Sequence, residues 1–174
     1  MSTNINQHLA RPLRLKIITL SDRASQGVYK DLSGPAVEEI LHAFLRERQR
    51  EYDIVRTILS DDAAALEKEL IQTRDAGVDV IFTTGGTGIG SRDITPEVVM
   101  KVADKALPGI MEYIRVTCGA KHPNALLSRS VAAVAGKTLI YALPGSVRAV
   151  NEYMTEILKT LEHTLHMLHG LDTH

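Results

Sequence analysis

The stretch 78–97 combines a strand, a glycine-rich loop and the start of a helix, and it restricts the possible folds more strongly than any other part of the chain. Residues 78–82 are mostly apolar and β-branched, which is typical of a strand buried within a parallel sheet. Residues 95–97, Thr-Pro-Glu, supply a helix N-cap, a proline suited to the first turn and an acidic side chain that favours the helix N-terminus. This order predicts an open α/β sheet with the loop at the carboxyl edge of the strands.

The loop within this stretch has the chemistry of a phosphate site, because glycines leave backbone N–H groups accessible and hydroxyl side chains add further donors. The residues are Gly85, Gly86, Gly88 and Gly90, interleaved with Thr83, Thr84, Thr87 and Ser91 and followed by Arg92 and Asp93. Two familiar motifs are excluded: no Gly-Lys-Ser/Thr follows, and Gly86-x-Gly88-x-x-Ser91 lacks the third glycine of a dinucleotide fingerprint. The alternative is a tight turn without a ligand, and the added Arg-Asp pair favours phosphate binding.

Composition limits the partners that the chain can have. At 174 residues, 44% of them hydrophobic and 24% charged, it suits one domain with its own core. A formal net charge of −1 provides no bulk attraction to nucleic acid or to an anionic membrane, so neither is expected as a partner. The single cysteine, Cys118, excludes an intramolecular disulfide and fits a reducing compartment. Without a membrane-length apolar run or a signal-peptide core, a cytoplasmic protein is expected.

Strands and helices alternate along the chain. Strands are predicted at 15–20, 52–59, 78–82, 131–135 and 138–143, and helices at 33–50, 63–76, 96–105, 110–118 and 147–169. This order predicts a three-layer αβα domain, with an open, mostly parallel sheet and an antiparallel edge hairpin through Gly136 and Lys137. Residues 1–14 are expected to form a flexible N-terminal arm, 15–170 a single α/β domain and 171–174 a C-terminal tail.

The last predicted helix carries a regular apolar stripe and three histidines. The stripe recurs at steps of three and four residues, and it consists of Val147, Val150, Met154, Ile157, Leu161, Leu165 and Leu168. It is interpreted as core or subunit interface. His163, His166 and His169 are interpreted as part of a solvated face, because no carboxylate or cysteine completes a metal site there.

Loops that follow parallel strands gather at one edge of a sheet, so four loops are expected to converge. They span residues 21–31, 60–62, 85–93 and 144–146. The loop 60–62 carries two adjacent aspartates, Asp61 and Asp62, that could simply cap the next helix. Convergence makes Asp61 a candidate for the site, with the register open by one residue.

Five motifs follow one another in a fixed order, four of them in or beside these loops and one at residues 127–129. They are Ser21-Asp22-Arg23-Ala24-Ser25 with Gly27; Asp61; Thr83-Thr84-Gly85-Gly86-Thr87-Gly88 followed by Arg92-Asp93-x-Thr95-Pro96-Glu97; Leu127-Ser128-Arg129; and Leu143-Pro144-Gly145. The central motif is highly specific, and the outer ones gain weight from their order. From about residue 15 to residue 170, the chain resembles the molybdopterin adenylyltransferase family, the Mog- and MoaB-type proteins also represented by the G domain of gephyrin.

This resemblance implies a three-layer fold, a cytoplasmic homotrimer or homohexamer, and a nucleotidyltransferase of molybdenum cofactor biosynthesis. Such an enzyme adenylylates the terminal phosphate of molybdopterin with ATP and Mg²⁺ and releases pyrophosphate. Its product feeds molybdate insertion, so the molybdate-inserting enzyme is an implied partner. One alternative is a MoaB-type molybdopterin-binding or assembly protein without turnover. Another is a generic nucleotide-binding α/β protein.

The resemblance also assigns site residues. Asp61 and Asp93 match the catalytic carboxylates of the family, and carboxylates are expected ligands of Mg²⁺ on a nucleotide. Contacts to the substrate are expected from Ser21, Asp22, Arg23, Thr84, Gly85, Gly86, Thr87, Gly88, Ser128, Arg129, Pro144, Gly145 and Ser146. The residue types suit the reaction, since an anionic phosphate acceptor needs no general base. The hard step is to align two polyanions and to neutralise their charge.

Overall fold

The computed structural model describes residues 11–170, which form a six-stranded sheet covered by helices. The strands are β1 (Leu13–Leu20), β2 (Tyr52–Leu59), β3 (Val80–Thr84), β4 (Lys105–Ala106), β5 (Ala132–Ala135) and β6 (Thr138–Leu143). The helices are α1 (Asp22–Ser25), α2 (Ser33–Glu47), α3 (Ala63–Asp75), α4 (Thr95–Val102), α5 (Pro108–Gly119) and α6 (Val147–His169), with a 3₁₀ segment at Pro123–Leu127. No helix in this part of the chain has both the length and the apolar character needed to cross a bilayer.

The strand order is β2-β1-β3-β6-β5-β4. The first four strands in this order pair in parallel, as expected when helices connect them, and β5 and β4 add an antiparallel edge. Helices cover both faces, so the predicted three-layer fold with an antiparallel edge hairpin is confirmed.

Alternate strand residues face opposite helix layers, which produces two separate cores. On β1, Ile17 packs in the core that α2, α5 and α6 cover, whereas its neighbour Ile18 packs in the core under α3 and α4. All five residues of β3 are buried, in agreement with a central parallel strand.

Several element boundaries differ from the sequence-based prediction. β1 begins at Leu13, two positions before the predicted start of the domain. The predicted helix 96–105 ends at Val102, because residues 105–106 pair with β5 as an edge strand. Most of the predicted N-terminal arm, residues 1–10, and the tail 171–174 lie outside the described residues.

A buried carboxylate ties together the amino edge of the sheet. Asp79 is only 1% exposed and lies immediately before β3. Its two oxygens accept hydrogen bonds from the Arg11 guanidinium at 2.8 and 2.7 Å and from the Arg14 backbone N–H at 2.8 Å. His169, the last residue of α6, places Nε2 3.5 Å from the same carboxylate. This cluster, the Asp79 cluster, fixes the C-terminal end of α6.

Candidate active site

The loops at the carboxyl edge of the sheet are joined at their bases. The Ser21 N–H donates to the Leu59 carbonyl at 2.9 Å, and the Gly85 N–H donates to the Leu143 carbonyl at 3.0 Å. These bonds link the ends of β1 and β2 and the ends of β3 and β6. The predicted convergence of the four loops is therefore present in the geometry.

The glycine-rich loop adopts a backbone that side chains would disturb. Gly85 and Gly86 have φ angles of +96° and +64°. A Cβ atom on Gly86 would lie 2.4 Å from Thr95 Oγ1, and one on Gly85 would lie 2.4 Å from the Leu20 carbonyl oxygen. The Thr95 hydroxyl donates to the Gly85 carbonyl at 2.9 Å, so the start of α4 holds the loop in place.

A cleft of about 430 Å³ at this edge runs along the first two turns of α6. The glycine loop forms one wall and the 3₁₀ segment another. The lining residues are Gly85, Gly86, Thr87, Gly88, Ile89, Asp93, Asn124, Ala125, Leu127, Ser128, Pro144, Gly145, Ser146, Arg148, Ala149, Glu152 and Tyr153. Most of the predicted substrate-binding residues are among them. We call this the long cleft.

A second cleft of about 340 Å³, here the short cleft, lies on the other side of the 144–146 turn. Both clefts are lined by Gly145 and Ser146, so they meet at the N-terminus of α6. The Ser146 hydroxyl caps this helix by accepting from the Ala149 N–H at 3.2 Å. The N-terminus of a helix of this length favours negative charge, which makes the junction suited to phosphate groups.

A hydroxyl and carboxylate network that the sequence analysis missed forms the floor of the short cleft. Asp31 accepts from the Thr19 hydroxyl at 2.8 Å, from the Ser33 hydroxyl at 3.1 Å and from the Gly34 N–H at 3.1 Å. Thr84, predicted to contact substrate, is fully buried below it and shares a 2.9 Å hydrogen bond with Ser33. The spacing of Asp31 before the start of α2 is a capping signal that could have indicated this arrangement.

Carboxylates gather beside the two clefts. Asp22 and Asp61 exchange hydrogen bonds, because the Asp61 N–H donates to the Asp22 carboxylate at 3.0 Å and the Asp22 N–H donates to the Asp61 carboxylate at 3.2 Å. Burial, and then the negative charge of Asp93, raise the pKa of Asp61. Asp93 accepts from the Gly90 N–H at 2.8 Å, and Arg92 pairs with Asp22. The loop that carries Arg92 and Asp93 therefore lies beside Asp22 and Asp61 at the carboxyl edge of the sheet.

Asp62 has a different environment from Asp61. Its carboxylate accepts from the Ala65 N–H at 2.7 Å and caps α3. Neither aspartate is in the lining of a cleft, but Asp61 is half-buried and hydrogen-bonded to Asp22, whereas Asp62 is exposed and hydrogen-bonded to its own helix.

The two arginines predicted to contact substrate, Arg23 and Arg129, line neither cleft. Arg129 donates from Nε to the Gly88 carbonyl and from Nη2 to the Asp93 carbonyl, both at 2.5 Å, and also pairs with Glu97. Arg23 lies over the Tyr29 ring, 5.5 Å from its centroid, and lines neither cleft. Arg129 therefore holds the glycine loop in shape, while Ser128 beside it lines the long cleft.

The carboxylates fit a cation only in combination with ligand phosphates. Within residues 11–170, no group of three His, Cys, Asp or Glu side chains is placed to hold a metal ion. Mg²⁺, however, is commonly bound by one or two carboxylates together with substrate phosphates. Asp61 and Asp93, whose charges repel each other across the edge, fit that pattern.

Comparisons with known proteins agree with this architecture. Residues 16–163 match a family model described as a probable molybdopterin binding domain. A molybdopterin adenylyltransferase of Helicobacter pylori strain J99 is 38% identical over 160 residues, which cover 91% of this chain and 89% of that protein. A molybdenum cofactor biosynthesis protein B of Staphylococcus carnosus is 36% identical over 95% of this chain and 96% of its own.

Solved structures have the same fold. The crystal structure of the molybdopterin biosynthesis enzyme MoaB from Thermus thermophilus superposes with a TM-score of 0.81 at 35% identity, covering 91% of this chain and 97% of that one. The match of the family model over most of the chain, the identities above 30% and the two clefts meeting at a helix N-terminus all agree. This chain belongs to the family of probable molybdopterin-binding domains.

Proposed function

We propose that this protein is a molybdopterin adenylyltransferase. It transfers the adenylyl group of ATP to the terminal phosphate of molybdopterin and releases pyrophosphate. The observation that carries this proposal is the meeting of two clefts at Gly145 and Ser146. A transfer between two phosphorylated substrates requires two adjacent sites whose phosphate ends coincide.

The long cleft suits molybdopterin and the short cleft suits the nucleotide. Backbone N–H groups of residues 86–88, with Ser128 and Ser146, would hold the acceptor phosphate beside the junction, while the Gly85 N–H stays bonded to the Leu143 carbonyl. The loop 19–33 forms the nucleotide side, with Ser21 in its lining. Donors fixed before binding align the two polyanions without reorganisation during the reaction.

In the transfer itself, an oxygen of the molybdopterin phosphate forms a bond with the α-phosphorus of ATP. The bond from that phosphorus to the pyrophosphate oxygen breaks, and pyrophosphate leaves with the electron pair. Asp61 and Asp93 would hold Mg²⁺, which supplies charge neutralisation for the nucleotide phosphates. Asp22 positions Asp61 through their paired hydrogen bonds, and Arg129 positions the loop that carries Asp93.

The direct test is to incubate the purified protein with molybdopterin, Mg²⁺ and ATP and to measure adenylylated molybdopterin and pyrophosphate. Formation of both products in equal amounts is expected. The second candidate is a molybdopterin-binding protein without turnover, since the chain is also similar to a relative named for molybdenum cofactor biosynthesis and not for a transfer reaction. Tight molybdopterin binding without either product would support that candidate and contradict the first.

We also propose that the protein assembles as a homotrimer or homohexamer in the cytoplasm and passes its product to a molybdate-inserting enzyme. Large apolar side chains exposed on α5 and on the 3₁₀ segment support an assembly, namely Tyr113, Val116, Leu126 and Leu127. Light scattering at micromolar concentration is expected to give three or six times the chain mass. A mass equal to one chain would contradict the assembly.

A further inference from the structure

The long cleft has a carboxylate that the transfer reaction does not use. Glu152 lies in its lining on α6, six residues after the Ser146 cap, and its side chain is 29% exposed. Six residues of helix at about 1.5 Å each place it roughly 9 Å along α6 from the phosphate junction. The cleft therefore has a phosphate end at Ser146 and an acidic end at Glu152.

The partners of Glu152 leave part of its hydrogen-bond accepting capacity unused. His122 forms a long ion pair with Glu152, with Nε2 3.8 Å from a carboxylate oxygen, which is beyond hydrogen-bond distance. The Cys118 thiol, a weak donor, also contacts Glu152, and burial followed by this carboxylate's charge raises the pKa of Cys118. Arg148 precedes Glu152 by one helical turn in the same cleft wall, yet no ion pair joins them among the described residues. The carboxylate thus keeps accepting capacity toward the cleft.

The residue next to Glu152 carries a buried polar group that has no partner within the described part of the chain. Tyr153, the next residue of α6, lines the cleft and is 1% exposed. Its hydroxyl oxygen makes no hydrogen bond within the described part of the chain. Buried polar atoms are nearly always paired, so an unpaired one beside a cleft is an independent indication that this end takes a ligand with polar atoms.

We propose that Glu152 recognises the aminopyrimidinone edge of the pterin and so determines specificity for pterins. This inference rests on the proposed function for the identity of the substrate. A pterin presents two parallel N–H donors on this edge, from ring N3 and from the 2-amino group. The two oxygens of a carboxylate accept from such a pair of donors in the same fork geometry that arginine offers to carboxylates.

The same charge fixes the direction in which the substrate binds. A phosphate placed beside Glu152 would meet a like charge, whereas at Ser146 it meets a helix N-terminus and backbone donors. The apolar walls between the two ends, formed by Leu127, Ala125 and Pro144, suit the faces of a fused ring system. Glu152 therefore determines both the direction in which the substrate binds and the type of ring that is accepted.

The test compares two fluorescent probes that differ only at the recognised edge. One is 6-hydroxymethylpterin monophosphate, and the other is the corresponding lumazine monophosphate, in which an oxo group replaces the 2-amino group. The chain contains no tryptophan, so probe fluorescence can be titrated with little protein background. Wild type is expected to bind the pterin phosphate about tenfold more tightly, since a hydrogen bond to a charged group is worth at least this much.

Glu152→Gln is expected to reduce this preference to less than about twofold, because an amide offers one acceptor and one donor in place of two acceptors. The amide oxygen can still accept from Cys118, so folding should be retained. The matched control is Glu156→Gln on the next turn, whose carboxylate pairs with Lys159 at 2.7 Å outside the cleft. That control should keep the wild-type preference.

Glu152→Asp is the second variant, and it shortens the side chain so that the carboxylate no longer reaches the pterin. It should lose pterin affinity with an unchanged melting temperature.

A Glu152→Gln protein that keeps the wild-type preference overturns the proposal. So does a wild type that binds the two phosphates equally or binds neither. Adenylylation of molybdopterin by the wild type is measured in parallel. Suppose that the wild type prefers the pterin phosphate through Glu152 but forms no pyrophosphate. This result would contradict the proposed transfer reaction and would still support the role of Glu152 in pterin recognition.

Discussion

Asp61 and Asp62 are neighbours in the sequence, yet their carboxylates have different partners. Asp62 caps α3 through the Ala65 N–H, while Asp61 is paired with the backbone of Asp22 beside the clefts. Residue type and spacing could not separate them, because either one could cap the helix. The direction in which the chain leaves β2 decides between them, and that depends on tertiary structure.

Replacing Asp61 or Asp93 by Asn should lower turnover by at least about 100-fold, since each loses a fixed charge that stabilises the transferring phosphates. Pyrophosphate release under saturating molybdopterin and Mg-ATP measures this. Asp62→Asn is the matched control, because Asn is as good an N-cap as Asp. Turnover equal to that of wild type in all three variants would show that Asp61 and Asp93 have no catalytic role.

The ionisation of Asp61 gives a second test. Burial and the charge of Asp93 raise its pKa, so Asp61→Asn should be no less stable than wild type at pH 7. The direction in which stability changes with pH follows from the linkage between proton binding and folding. The folded state holds this proton more tightly than the unfolded chain does, so stability falls as the pH rises from the ordinary aspartate pKa to the raised one. Carboxyl NMR titration should also show a lower Asp61 pKa in Asp93→Asn. An unchanged value would mean that the two charges do not interact.

Among the secondary-structure elements, the segment from β3 to α4 was predictable because residues within the segment itself determine its conformation. Apolar residues, glycines and a proline in the first helical turn each restrict the backbone directly. Thr95, predicted as the N-cap, is instead the first residue of α4, and Ile94 occupies the cap position without a side-chain hydrogen bond.

β4 was missed because two residues, Lys105 and Ala106, become a strand only through pairing with β5. His169 was expected on a solvated face, and instead it approaches the buried Asp79. Glu152 carried no sequence signal, since one glutamate on an amphipathic helix resembles any other.

Arg129 links two elements of the site, and its planar fork should be hard to replace. Arg129→Lys loses the simultaneous contacts to the Gly88 and Asp93 carbonyls. We expect about tenfold weaker binding of a pterin phosphate, with a melting temperature close to that of wild type because the side chain is partly exposed. Lys101→Arg, which alters a surface ion pair with Glu67, serves as the control. Wild-type affinity in Arg129→Lys would show that the loop keeps its shape without the arginine.

The whole molecule is held at its amino edge by the Asp79 cluster, far from the clefts. Asp79→Asn leaves Arg11 and His169 around a neutral group in a buried position. We expect a loss of about 1.5–3 kcal/mol in the free energy of unfolding, measured by urea denaturation, because the donors of Arg11 and of the Arg14 backbone lose a charged acceptor. Asp75→Asn, which removes an exposed pair with Arg74, should cost less than about 1 kcal/mol. Similar losses in both variants would show that the cluster adds nothing beyond a surface ion pair.

The shared wall of Gly145 and Ser146 has a kinetic consequence for the proposed reaction. Adenylylated molybdopterin is the covalent union of the two ligands, so it occupies both clefts with a single molecule. Once one half is bound, the other half is present at a high effective concentration, and the product is held more tightly than either substrate. Its departure should then limit the steady state. Rapid-quench measurements should show a burst of about one pyrophosphate per site, followed by slow turnover that quickens when an acceptor removes the product.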